Sequence, residues 1–402
     1  MVGPLEPTVR FNMRVDLTAA IAYGAFATIL AFIPLVLRRL GASVELLALY
    51  AASTYLGSVL AAGPGLFLAR QQRPLYVAII CLCLARAAFL GTAFVTGAVG
   101  LLVLAAVFWL GEGLPTPIYG GIFQKIYPVE ARGKIMAVVR VGMSVTLLML
   151  APLAGWVLDG AGYRVLFPVA AVIGVLSAVI FARLRFNQGE LQLRQRPTLR
   201  NIGGILVRDR RFSLYLAAVV LFGLSLLVPS ALIPLVQVDR LHLSYAELGW
   251  LNLALSLARL LSYVYWGRQI DRWGAVRCLQ VACLINVIVV VPYIWVTRAW
   301  MLLPSFVASG VVNSAVDLAF INAAIQLAHV RRFQEYAALQ STVIGIRGII
   351  GPFIGVGLLR LGVSGSAIFA AAGGLTLLAA LLLWQIKLSP AAGEEFSLEN
   401  PT

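Results

Sequence analysis

Apolar residues fill long stretches of the 402-residue chain, interrupted at intervals by charge, glycine or proline. A helix needs roughly 20 apolar residues to cross the hydrocarbon of a bilayer. Twelve segments approach that length: residues 16–38, 44–67, 74–96, 98–125, 134–157, 164–184, 212–236, 244–266, 275–297, 300–327, 336–359 and 366–386, numbered below as spans 1 to 12. No stretch alternates apolar and polar residues over ten positions as a barrel strand would, so the pattern predicts an all-α integral membrane protein. Residues 1–13 hold two prolines and a glutamate and do not read as a cleaved leader, so span 1 is expected to stay in the mature chain.

The longest polar run, Arg183 to Arg211, divides the spans into two sets of six. Its eight arginines, set against Glu190 and Asp209, read as a basic linker. The sequence before this run falls on the sequence after it at an offset of 200 positions. Ala31-Phe-Ile-Pro-Leu-Val36 matches Ala231-Leu-Ile-Pro-Leu-Val236 at five of six positions. At the same offset Cys83 meets Cys283, Arg132 meets Arg332, Pro152 meets Pro352 and Gly155 meets Gly355. One offset held from position 31 to position 155 marks an internal duplication. The expected domains are six-helix bundles at 1–185 and 212–387, the linker at 186–211 and an acidic tail at 388–402.

Composition removes the alternatives. The residues are 61% hydrophobic and 12% charged, against about 25% charged in a soluble domain. A formal charge of +15 would suit nucleic acid, but its placement does not. Of the 31 basic residues, 21 fall on one side of the predicted membrane, six on the other and four inside spans. That bias puts both termini and the linker in the cytoplasm, with basic loops against anionic lipid headgroups. Lysine supplies only three of the 31, as in a GC-rich bacterial genome, so the expected location is a bacterial inner membrane. Cys81, Cys83, Cys278 and Cys283 lie in apolar spans and read as packing residues, with no disulfide or metal site expected. His242 and His329 fall at loop edges. No phosphate-cradling loop is present, so neither ATP nor another cofactor is expected.

Two local patterns carry structural expectations. Ser244-Tyr-Ala-Glu247 has the spacing of a capping box and should open span 8. Pro152 and Pro352 lie inside spans 5 and 11, with Gly155 and Gly355 three residues on. Proline deletes a helical hydrogen bond and small residues admit a neighbouring helix, so both spans are expected to bend there.

The loop between spans 8 and 9 reads Gly267-Arg-Gln-Ile-Asp271-Arg272-Trp-Gly274-Ala-Val-Arg277. It resembles the loop signature of the major facilitator superfamily, G-x-x-x-D-R-x-G followed by basic residues. Tyr127-Pro-Val-Glu-Ala-Arg-Gly133-Lys is similar to that family's loop between spans 4 and 5. Ala151-Pro-Leu-Ala-Gly155 partly matches the proline–glycine motif its antiporters carry in span 5. The resemblance implies twelve transmembrane helices in two pseudo-symmetric bundles, alternating access, and no enzymatic activity. It also implies that spans 1, 4, 7 and 10 line a central cavity, that 2, 5, 8 and 11 meet between bundles, and that 3, 6, 9 and 12 lie outside. Gly267, Asp271, Arg272, Gly274 and Arg277 would then form a cytoplasmic gate. The chain departs from the family twice. The first-repeat loop has become Ala69-Arg-Gln71-Gln72-Arg73-Pro74 with no aspartate, and span 4 holds Glu112 where the family's drug/proton antiporters carry arginine.

A charge at mid-bilayer costs several kcal/mol unless paired or wet. Six residues qualify: Arg86, Glu112, Arg140, Arg259, Asp317 and Arg347. Asn252, Ser256, Arg259 and Tyr263 share one face of span 8, and Ser309, Asn313 and Asp317 one face of span 10. Glu112, Thr116, Tyr119 and Phe123 share a face of span 4. Such stripes predict a cavity rather than lipid. The substrate- or proton-binding candidates are Glu112, Tyr119, Arg140, Asn252, Arg259, Asn313, Asp317 and Arg347. Arg86 is expected to be structural, paired within the first bundle. Glu112 and Asp317 either pair with Arg140 or Arg347 or bind substrate or protons. Four arginines against two carboxylates leave two unmatched, and Arg140 and Arg259 are expected to face each other across the bundles. That surplus suits an anionic or zwitterionic substrate. The expected function is secondary active transport of a small organic solute, as proton-coupled efflux, by a monomer. Uptake or exchange of an organic anion, and flipping of lipids or lysolipids, are the alternatives.

Overall fold

A computed structural model describes residues 6–60, 64, 66–68, 73–186, 209–327 and 333–386. The linker over 187–208, the tail from 387, His329, Arg332 and the Gln71 loop lie outside these. Helices occupy all twelve expected segments, and no strand occurs among the described residues. In order they are Pro7–Arg39, Val44–Leu60, Pro74–Ala93, Ala98–Ile126, Val129–Ala161 and Tyr163–Phe181 in the first half. The second half has Arg210–Leu227, Tyr245–Trp273, Ala275–Ile294, Leu303–Leu327, Phe333–Arg360 and Gly365–Trp384. Ten helices are long and apolar enough to cross a membrane. Span 2 has a described helix of 17 residues, and span 8 interrupts its apolar run with Asn252, Ser256 and Arg259.

Span 1 begins nine residues earlier than the hydropathy pattern implies. Pro7 stands at the helix start, where its missing N–H has no partner to lose. Val9, Asn12, Val15, Asp16 and Ala19 then form a buried face. Asn12 ties this face to the end of span 6, donating to the Arg185 carbonyl at 2.9 Å and accepting from the Arg185 N–H at 2.9 Å. At the opposite end of the chain's second half, the capping box of Ser244 and Glu247 is formed in full.

The duplication is visible in how helices pair. Span 1 packs on spans 5 and 6, as span 7 packs on 11 and 12; span 2 packs on 4, as 8 packs on 10. Gly57 lies against the backbone of Trp109 and Gly310 against that of Leu255, so both of those last pairs cross at a glycine. Gly162 and Gly362, one offset apart, close the turns after spans 5 and 11 at φ +76 and +83, which only glycine adopts freely.

Helix continuity differs among the spans that hold proline. Spans 5 and 11 run through Pro152 and Pro352 as continuous helices. In spans 1 and 7 the helix is broken at the repeated hexamer. Span 1 passes through a 3₁₀ turn at Thr28–Ala31 and restarts at Ile33-Pro34. Span 7 breaks after Leu227, restarts at Ile233-Pro234 and ends in a π turn at Val236–Arg240. Span 4 breaks at Leu114-Pro115 and restarts at Thr116. In these spans proline falls at a new first turn, where it is tolerated, rather than in mid-helix.

The two halves share an apolar core at one end only, while spans 2 and 11 also meet further along, Tyr55 on Gly348 and Val59 on Gly345. One apolar core at the turns after spans 1, 5, 7 and 11 contains Phe26, Phe32, Phe108 and Phe167 of the first half with Leu232, Tyr245, Leu248 and Phe369 of the second. Its rings meet edge-on, Phe26 and Phe108 with centroids 5.3 Å apart, worth about 0.5–1.5 kcal/mol per pair beyond burial. Toward the opposite end, where the first and last helices end, the halves have separate cores. Leu75, Ile118, Tyr127 and Phe181 build one, and Phe212, Trp266, Ala275 and Leu383 the other. The core shared by the halves thus lies at the turn end, and the cores toward the terminal end are separate.

Candidate functional site

The turn end is locked by polar contacts between the halves. Arg38 pairs with Asp239 at 2.5 Å and Glu45 with Arg360 at 2.8 Å. Asp159, at the end of span 5, accepts from the N–H groups of Tyr245 at 3.0 Å and Ala246 at 2.8 Å, capping the positive end of span 8. Arg39 lies over the Tyr245 ring at 3.8 Å and donates to the Leu243 carbonyl at 2.6 Å. Below this, the carbonyl of Ala151 comes within 2.6 Å of where a Cβ on Gly249 would stand. Gly155 packs on the Tyr245 backbone. The Pro–Gly motif of span 5 therefore forms the close crossing with span 8 that the sequence assigns to it, without a helix break.

Two charged clusters lie at mid-depth, one in each bundle. In the first bundle, Arg86 is 5% exposed and reaches inward from span 3. Its Nη2 meets Glu112 Oε1 at 3.0 Å and its Nε meets Glu112 Oε2 at 3.3 Å. Its Nη1 donates to Ser177 Oγ and to the Gly174 carbonyl at 3.1 Å, and the guanidinium lies over the Tyr23 ring at 4.6 Å. Arg86 is thus paired within its bundle as expected. Glu112 is held by Arg86 rather than by Arg140 or Arg347. Around them is a cavity of about 240 Å³, lined also by Asp16, Tyr119, Phe123 and Val139.

In the second bundle, Arg259 Nη2 meets Asp317 Oδ2 at 2.5 Å. Tyr263 donates its O–H to the same oxygen at 2.5 Å and accepts from Arg259 Nε at 3.1 Å. The stripes on spans 8 and 10 are therefore partners. Asn252 turns back to donate to the Leu248 carbonyl of its own helix at 2.9 Å. Asn313 and Ser309 line a second cavity of about 300 Å³ with Asn286, Tyr293 and Gln237.

Arg140 and Arg347 occupy different surroundings. Arg140 is exposed. It lies 19 positions before Asp159, whereas Arg259 lies 14 after Tyr245, so Arg140 is about 7 Å nearer the terminal end at 1.5 Å per residue. The two do not form the expected facing pair, and Arg259 has a carboxylate of its own. Arg347 has no carboxylate among the described residues. Its Nε and Nη1 are enclosed without a hydrogen-bond partner.

Asp16 and Asn286 are among the buried polar residues that escaped the sequence reading. Asp16, 4% exposed, accepts a 2.7 Å hydrogen bond from the Tyr127 phenol and has no cation beside it among the described residues. Its spacing from Asn12 and Ala19 along one helix face was the available signal, obscured because the apolar run begins at that point. Asn286, fully buried, donates to Ser225 Oγ at 3.0 Å and Thr376 Oγ1 at 3.1 Å, joining spans 7, 9 and 12. A lone amide within span 9 was readable, but its partners were not.

The loop after span 8 is built as its residues suggest. Gly274 closes the turn at φ +81, and Gly267 is within the helix with open space around it. Asp271, Arg272 and Arg277 are exposed at the terminal end. Asp271 has no hydrogen-bond or ion-pair partner among the described residues.

Two helical bundles that share a core at one end and each hold a charge pair at mid-depth are the build of a membrane transporter, not of an enzyme. The chain belongs to the major facilitator superfamily, whose family model matches residues 15–244 and again 215–400. No curated protein matches it. Solved structures agree in fold. The nucleoside transporter NupG superposes with a TM-score of 0.73 at 10% identity, covering 93% of this chain and 99% of its own. The peptide transporter POT in complex with sulfate gives 0.69 at 16% identity, covering 94% of both chains. A bacterial homologue of the human lysosomal transporter Spinster, inward-facing and unoccupied, gives 0.67 at 13% identity, covering 96% and 100%.

Proposed function

We propose that this protein is a proton-coupled secondary transporter that exports a small organic solute from the bacterial cytoplasm by alternating access. The observation that carries the reading is the contrast between a shared core at the turn end and separate cores at the terminal end. Two bundles joined in that way can rock about a mid-depth site and expose it to each side in turn. The basic loops put the terminal end, both termini and the linker in the cytoplasm, so this state opens inward. Export is favoured by the span-5 motif, Ala151 to Gly155, which makes the tight crossing with span 8. Each polypeptide contains both bundles, so a monomer suffices.

Three carboxylates within the spans are available to carry the coupling proton: buried Asp16 and the partly buried Glu112 and Asp317. Glu112 and Asp317 are each held by an arginine. Asp16 has the Tyr127 phenol and no cation among the described residues, and a buried carboxylate without a counter-charge sheds its desolvation cost by taking up a proton. Asp16 is the favoured carrier.

The test uses proteoliposomes with an imposed pH gradient and an internal pH dye, challenged with small organic acids, amino acids and nucleosides. A solute that collapses the gradient only in the presence of protein supports the reading. Solute exchange with no proton movement in either direction contradicts the coupling, and no protein-dependent movement of any of these solutes contradicts the transport reading.

A further inference from the structure

We infer that Arg347, together with Tyr55 across the bundle boundary, is the contact for an anionic group of the transported solute. This rests on the transport reading above and names the chemistry of its site.

Arg347 belongs to span 11, at mid-length of Phe333–Arg360. Its guanidinium lies on the backbone of Gly223 in span 7, where any side chain would displace it. Arginine stays protonated, so its charge must be met by a carboxylate, carbonyls, water or a bound anion. The two mid-depth carboxylates of the cluster residues are already taken by Arg86 and Arg259. Nε and Nη1 of Arg347 are enclosed with no acceptor. Its remaining nitrogen, Nη2, is neither enclosed nor bonded among the described residues, and forms the open edge of the group.

The phenols near the guanidinium each have a proton to donate. Tyr55 and Tyr215 are the electrostatic neighbours of Arg347. Tyr215 gives its proton to the Phe320 carbonyl at 3.4 Å. Tyr55, from span 2 of the other bundle, lies over Gly348. Its phenol makes no hydrogen bond among the described residues. A guanidinium edge and a free phenol, one from each bundle, form a pair that an oxyanion would complete and a cation would not. The pair also spans the boundary between spans 2 and 11, which must change if the bundles rock. An anion held by both would bind the two states unequally, which transport requires. Arg140, exposed near the terminal end, offers no such enclosure.

The test is anion-dependent thermal stabilisation of the purified protein at constant ionic strength, with sulfate, inorganic phosphate and glutamate as probes and choline as a cationic control. Wild type should be stabilised saturably by at least one anion and not by choline. Arg347→Gln should weaken that anion at least about tenfold, as loss of a buried charged partner does, while Arg140→Gln leaves it within twofold. Arg347→Lys, which keeps the charge but not the fork, should fall between them and guards against misfolding of the glutamine variant. Removing an unmet charge should also leave the ligand-free Arg347→Gln protein no less stable than wild type. Equal anion response in wild type and Arg347→Gln, or stabilisation by choline alone, overturns the inference. Either result leaves the transport reading standing, because that reading fails only in the proteoliposome assay.

Discussion

Arg86 and Arg259 each hold one carboxylate, but water reaches the two pairs differently. Side-chain exposure is 6% and 18% for Arg86 and Glu112, and 40% and 32% for Arg259 and Asp317. Removing one partner of an enclosed pair strands a charge and costs about 3–5 kcal/mol, whereas a wet pair is worth about 0–1 kcal/mol. Glu112→Gln should therefore lower the unfolding temperature in detergent sharply, and Asp317→Asn little; equal losses would contradict the assigned difference. Asp16→Asn should abolish proton-driven accumulation while solute counterflow survives, and accumulation that persists in it would move the proton elsewhere. The charged residues and their helix faces were legible in the sequence, but their partners were not. Periodicity reports which side of a helix a residue occupies, not its depth or the reach of its side chain. Arg86 sits on an outer span and still enters the bundle interior, because a guanidinium stands several bonds from its backbone. Asp16 was missed because the apolar run starts at that position while the helix starts at Pro7.

The elements that lock the molecule are short and polar. Arg38–Asp239 and Arg360–Glu45 are partly exposed pairs, each worth about 0–1 kcal/mol. A transporter needs such a closure to be weak, since it must open in every cycle. Replacing Arg38 and Arg360 together with alanine should shift the population toward opening at the turn end, read as faster labelling of a cysteine placed at Leu248, buried in the shared core. Unchanged labelling would show that the apolar core alone holds that end. Asp271 is the complementary case. It is exposed, with no hydrogen-bond or ion-pair partner among the described residues, so Asp271→Asn should leave the unfolding temperature within about 1 °C of wild type, a surface change being worth under about 0.5 kcal/mol. It should nonetheless impair transport, through the state in which the terminal end is closed. The signature loop and the capping box were readable because each is a local pattern with a fixed spacing. The lock was not, because its acids and arginines come from four separate turns that only the tertiary fold brings together. The repeated hexamer was visible as a match, but its meaning as a helix break in spans 1 and 7 required the backbone.

For the whole molecule, the offset of 200 residues in the sequence reappears as the same pairing of helices in both halves. Duplication copies a packing scheme along with the sequence, but which helices pair within each copy required the structure. The open and closed ends did not follow, because they depend on which of several near-equal arrangements the halves adopt. The central claim is that the halves rock about the mid-depth charges. It is tested most directly by electron-spin distance measurements on two label pairs in a background with Cys81, Cys83, Cys278 and Cys283 replaced. One pair joins Gly133 to Arg268 across the terminal end, and the other joins Ala161 to Leu361 across the turn end; all four positions are exposed. On acidification the first distance should shorten in the same fraction of molecules in which the second lengthens. Two distances that stay fixed, or that lengthen together, would contradict alternating access in this protein.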